Sequence, residues 1–213
     1  MRPICSRRLG ILIFCLLATV LNGCFGTSQP SRFYALSSLR GPEPIPHAAS
    51  AGLSTLVAVG PVAIPDYLNR PEIVTRSGKN EMRVNEFQRW AGDLQANMLN
   101  TVIEDLSMLL PPDRLSVIRW FPAGQHDMPV TYRVMVDVMR FDAVPGGSVF
   151  LEADWAIYGK EKTIVLAKKS SISGYVGGAE FTDLVAAMSK AVEDLSREIA
   201  AGVMSLDQKT AEK

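Results

Sequence analysis

The sequence predicts an α+β fold: a single domain in which two main amphipathic helices pack on one face of an antiparallel β-sheet. Residues 131–174 alternate apolar and polar side chains in three runs separated by turns, the mark of strands with one covered and one wet face. Two further stretches, Ala91–Leu109 and Phe181–Ile199, repeat apolar residues at three- and four-residue steps, the period of a helix with one buried side. A chain of 213 residues is long enough to bury a core without metals or disulfides.

Ahead of the first strand stands a segment of different composition. Arg2, Arg7 and Arg8 precede an apolar run from Leu9 to Leu21, which is too short to span a hydrocarbon layer of roughly 30 Å as a permanent helix. It reads as an export signal. Leu21-Asn22-Gly23-Cys24 follows and resembles a lipobox, so cleavage between Gly23 and Cys24 and covalent diacylglycerol and N-acyl lipid on Cys24 are expected. Cys5 and Cys15 would leave with the signal, and Cys24, then without a disulfide partner, is accounted for by acylation. Two or three chains at ~0.8 kcal/mol per buried methylene give lasting attachment, where one would be marginal.

The expected segments are 1–23 as cleaved signal, 24–54 as lipidated N-terminus, tether and edge strand, 55–206 as the folded domain, and 207–213 as a polar tail. Removing the signal takes three arginines and no acid from a chain with 22 basic and 22 acidic residues, which leaves a net charge of −3. That balance gives no footprint for nucleic acid.

The elements follow in order. Phe33 to Leu36 is a short apolar piece that suits an edge strand between two loose stretches, 25–32 and 40–54. Thr55 to Gly60 is a continuous β-branched and apolar run, as in a buried strand. Pro61, Pro65 and Pro71 stiffen the loop that comes next by fixing φ. Tyr67, Leu68 and Arg70 in that loop are residue types that anchor interfaces, and they are the candidate partner-binding residues. The competing reading folds Tyr67 and Leu68 back on the domain and pairs Arg70 or Arg76 with a carboxylate.

Ile73–Arg76 and Met82–Phe87 read as a hairpin around Ser77-Gly78-Lys79-Asn80. Asn85 with Gln88 three places on gives a capping box for the first helix, which Pro111-Pro112 ends. Trp90 is expected in the core, and Glu104-Asp105 on the solvated side of that helix. Leu115–Trp120 is a short strand. Tyr132, Val134, Val136 and Val138 share one face of the next, with Arg133 and Asp137 on the other. Turns at 145–148 and 159–162 complete a meander before the closing helix, whose stripe runs Phe181, Leu184, Met188, Val192, Leu195, Ile199.

These residues also carry a resemblance. Val59-Gly60-Pro61-Val62-Ala63-Ile64-Pro65-Asp66-Tyr67-Leu68-Asn69-Arg70-Pro71-Glu72-Ile73-Val74-Thr75-Arg76, continuing to Glu86-Phe87-Gln88-Arg89-Trp90-Ala91, is similar to the signature of the PqiC/YmbA family of ABC-type transport auxiliary lipoproteins. Phe33-Tyr34-Ala35-Leu36, Tyr132-Arg133-Val134 and Arg140-Phe141-Asp142 extend it across almost all of the mature chain. The resemblance implies a Gram-negative envelope protein that works with an MCE-domain partner in lipid traffic between two membranes. It implies an anchor in the inner leaflet of the outer membrane, facing the periplasm, because Phe25 and not aspartate follows Cys24. It also implies assembly into homo-oligomeric rings.

Catalytic motifs are missing from the sequence. His47 and His126 lie in loops without metal-ligand spacing, and no Gly-x-Ser-x-Gly elbow or phosphate-cradling loop occurs. The expectation is a non-enzyme that acts by docking. The alternatives are a lipid-anchored structural or assembly factor of the envelope and, third, a direct lipid carrier, which needs an apolar cavity.

Overall fold

The computed structural model describes residues 29–39, 55–121 and 129–211. Cys24, the export signal, His47 and His126 lie outside the described residues. The chain divides into Met1–Pro30 and Ser31–Lys213, and every element below belongs to the second unit. In order these are β1 (Arg32–Tyr34), β2 (Thr55–Ala63), a 3₁₀ turn (Asp66–Leu68), β3 (Glu72–Arg76), β4 (Met82–Trp90), α1 (Leu94–Leu109), β5 (Leu115–Arg119), β6 (Tyr132–Ala143), β7 (Ser148–Tyr158), β8 (Ile164–Tyr175) and α2 (Phe181–Ala211).

Two sheets form, one of five strands in the order β5-β2-β6-β7-β8 and one of three in the order β1-β4-β3. The expected meander is present as the antiparallel β6-β7-β8, and β3 pairs antiparallel with β4. The sheets are nevertheless mixed, because β2 runs parallel to both β5 and β6, and β1 parallel to β4. Parallel pairing requires a crossover. The chain makes one from β2 to β5 through β3, β4 and α1. β2, an inner strand between β5 and β6, is closed on both faces at Val57, Ala58 and Val59, an unbroken apolar run with 0% exposure.

Both helices lie on the inner face of the five-stranded sheet, α1 against β2 and β5, α2 against β6, β7 and β8, and they pack on each other. Met98, Val102 and Leu106 from α1 and Leu184, Val192, Leu195 and Ile199 from α2 meet Val134, Phe141, Leu151 and Ile157 from the sheet, all fully buried. Cutting any of the leucines to alanine in such a core costs about 2–5 kcal/mol.

Three expectations are corrected. The first helix does not begin at Asn85: β4 continues to Trp90, held on both sides by β1 and β3, and Asn85 instead donates through Nδ2 to Ile73 O (2.8 Å) and Thr75 Oγ1 (3.1 Å). The cap is Asp93, whose carboxylate accepts from Ala96 N at 2.6 Å. Asp105 is not solvated, since it is wholly buried and its Oδ1 accepts from Leu39 N at 2.8 Å. Residues 207–211, expected in the tail, continue α2; Asp207 pairs with Arg114 at 2.7 Å.

Asp105 belongs to a set of side-chain acceptors that hold the segment after β1 against the helices. Asn97 Oδ1 accepts from Leu36 N (2.7 Å) and Ser189 Oγ from Ser37 N (3.1 Å). Leu36 of this strap is buried, so a segment with little secondary structure is tied down by its own backbone amides.

Candidate functional site

The signature segment folds around one buried carboxylate. Asp142, near the end of β6, has no exposure and is gripped by two arginines. Arg76 at the end of β3 donates through Nε (3.0 Å) and Nη2 (2.9 Å), and Arg140 on β6 through Nε (2.7 Å) and Nη2 (3.1 Å). Both contacts are bidentate, the strong geometry for a guanidinium and a carboxylate. Burial alone would raise the Asp142 carboxyl, but the hydrogen bonds from Arg76 and Arg140 reverse this and hold it below the usual carboxylate range. The cluster ties β3, in the three-stranded sheet, to β6, in the five-stranded one. Breaking one side of a buried ion pair costs about 3–5 kcal/mol.

The proline loop is stacked on this cluster. Pro65 O accepts from Leu68 N (2.9 Å) and Asp66 O from Asn69 N (3.1 Å), which closes the 3₁₀ turn. Leu68 points inward and is buried at 2% exposure, so it supports the loop from below and offers nothing to a partner. Tyr67 is 36% exposed, and its hydroxyl accepts from Phe141 N at 3.5 Å; burial pushes its phenol up. Arg70 stays largely exposed and pairs with Glu72 at 3.4 Å, and Glu72 is shared with Arg89 at 3.3 Å. Of the three candidate residues the structure therefore brings Tyr67 and Arg70 to the surface. The competing sequence reading pairs Arg70 or Arg76 with a carboxylate, and both pairs form, but it does not single out Asp142. The available signal was Asp142 itself, an acid between Phe141 and Ala143, where β6 carries a register shift after Val138 and three consecutive residues are buried.

A second feature lies on the face of the five-stranded sheet turned away from the helices. Arg133 stacks between Trp120 (4.7 Å from guanidinium carbon to ring centroid) and Tyr158 (4.9 Å). Beside it an open groove of about 580 Å³ runs over Met135, Ala156 and Ala167, with Asp137, Asp154 and Lys169 at its far side. Among the described residues no group of histidine, cysteine, aspartate and glutamate is arranged to hold a metal.

The fold is a two-sheet α+β domain with an ion-locked loop and an open groove on its outer face. The chain belongs to the ABC-type transport auxiliary lipoprotein component family, whose match covers residues 34–200. Among solved structures it is similar to an uncharacterized protein with 19% identity and a TM-score of 0.66, over 82% of this chain and 99% of that one. It is likewise similar to a Xanthomonas campestris protein of the DUF330 family, with 16% identity and a TM-score of 0.65, over 86% of this chain and all (100%) of that one. No curated protein matches. The family makes this an auxiliary lipoprotein component of ABC-type transport in the cell envelope.

Proposed function

We propose that the protein is held by acyl chains on Cys24 to the inner leaflet of the outer membrane, faces the periplasm, and docks the MCE-domain partner of an ABC-type transport system without catalysing a reaction. The supporting observation is the loop at 64–71, β2 extending through Ala63: the Arg76–Asp142–Arg140 cluster fixes it from beneath while Tyr67 and Arg70 remain at the surface. A loop held this way loses little entropy on association. Tyrosine and arginine are the side chains that dominate interface energies. Phe25 in place of aspartate after Cys24 supports the outer-membrane destination. The eight residues from Cys24 to Ser31, seven Cα–Cα steps, reach about 25 Å at most, so the domain works close to the bilayer.

The test is a pull-down of the acylated full chain from membranes, with mass spectrometry of its N-terminal peptide and its partners. Acyl chains on Cys24 and recovery of an MCE-domain protein are the expected results. Recovery of a cell-wall component or an outer-membrane β-barrel instead would replace the transport reading by that of an envelope assembly factor. An unmodified Cys24 would remove the anchor.

A further inference from the structure

We propose that the outer face of the five-stranded sheet binds an extended polypeptide segment of a partner protein in which an acidic, an apolar and a basic side chain follow one another at every second residue. The inference rests on the reading of this domain as a docking module, and not on which partner the proline loop engages.

Arg133 is a cation with poorly satisfied donors. Its Nε is buried without a hydrogen-bond partner, and among the described residues its hydrogen bond, from Nη2, goes to Met135 Sδ at 3.2 Å, a weak acceptor. No carboxylate of the described residues forms an ion pair with it, in contrast to Arg76 and Arg140. The rings of Trp120 and Tyr158 both lie close to the guanidinium carbon, at 4.7 and 4.9 Å. A half-buried cation that keeps a rigid fork of donors and has only a weak acceptor among the described residues is short of one anion, and the fork matches a carboxylate.

Strand register sets what lies beside it. Arg133 is opposite Tyr158, Met135 opposite Ala156, and Asp137 opposite Asp154; on β8, Ala167 continues the second row and Lys169 the third. All of these point away from the helices, so the face presents three successive rows: a cation between rings, an apolar floor, and a row of charge. In that third row Asp154 is met by Lys169 at 3.7 Å, while Asp137 has no ion-pair partner among the described residues. The groove thus offers, at its two ends, a cation and a carboxylate that have no ion-pair partner among the described residues, about 13 Å apart along four strand residues.

An extended peptide repeats its same-side residues at every second position, about 6.6–7 Å, the same step as the rows. Its acid meets Arg133, its apolar side chain lies on Met135, Ala156 and Ala167, and its base meets Asp137. A phospholipid fits the cationic end and the floor, but its acyl chain would then run against Asp137 and Asp154, which is why the observations favour a peptide.

The experiment uses the full-length chain in detergent with methyl-labelled methionines, the Met135 signal being assigned through Met135→Leu. Two synthetic peptides, Ser-Glu-Thr-Leu-Thr-Lys-Ser and its reverse, are titrated against a control with serine at both charged positions. One charged peptide is expected to shift the Met135 signal and to bind about tenfold tighter than the control, with Arg133→Gln and Asp137→Asn each removing most of that gain. Asp137 is exposed, so Asp137→Asn keeps the test valid where Arg133→Gln impairs folding. An unmoved Met135 signal, or equal binding by the control, or binding indifferent to Asp137→Asn, overturns the proposal. A failed titration with an MCE-domain protein still recovered from membranes removes this inference alone and leaves the loop-docking reading standing.

Discussion

Asp105 and Asp142 are both fully buried, yet they are shifted in opposite directions. Asp142 is met by two bidentate guanidiniums and held below the ordinary carboxylate value; Asp105 has one amide on Oδ1, no partner on Oδ2, and burial pushes it up. Burial raises both carboxyls, and the partners decide the outcome. The loop region is an ionic lock that joins two sheets around a fixed surface. The strap region holds a backbone segment with single acceptors, at the expense of an incompletely satisfied charge.

The largest expected effect comes from cutting the lock. Asp142→Asn leaves Arg76 and Arg140 without their shared anion and is expected to destabilise the fold by about 3–5 kcal/mol, a fall in Tm of roughly 10 °C or more by thermal unfolding at pH 7. The pH dependence carries the same sign: the stability Asp142 supplies is present above the unfolded value of 3.8 and lost as pH falls through its lower folded value. Leu68→Ala opens a cavity under the loop and is expected to cost about 2–4 kcal/mol, read in the same unfolding series. If Leu68 faced outward, the variant would unfold like the wild type.

Asp105→Asn is expected to act the other way. A carboxyl whose folded value is raised destabilises the fold progressively as pH rises above 3.8, so removing the charge raises Tm at pH 7 and changes it little near pH 3.5. Asparagine retains the oxygen that accepts from Leu39 N, and the gain is expected at about 1 kcal/mol. A lower Tm at pH 7 would mean that the charge itself holds the strap. The smallest effect belongs to Arg70→Ala, where an exposed pair with Glu72 is removed; its expected cost is under about 0.5 kcal/mol.

The same contrast explains what could be read from the sequence. Alternation identified the inward residues of β6 and β7, the stripe of α2 and the buried Trp90, because these follow from period and bulk alone. Strand direction around β2 was not legible, since parallel pairing depends on a crossover through most of a second sheet. Asp105 was assigned to solvent because nothing local shows that Leu39, 66 positions earlier, lies over it. Asn85 looked like a cap because the apolar period of α1 extends back into β4, whereas Gly92-Asp93 was the true boundary. In the candidate site the loop and its arginines were legible, but the acid that locks them comes from 66 residues beyond Arg76.

The most direct test of the docking account is the recovery of the partner by a variant that leaves the lock intact. Tyr67→Ala combined with Arg70→Ala, in the acylated full chain pulled down from membranes, is expected to lose the MCE-domain protein while Tm stays within a few degrees of the wild type and Cys24 remains acylated. Undiminished recovery of that partner by the double variant would contradict the claim that this loop is the docking surface.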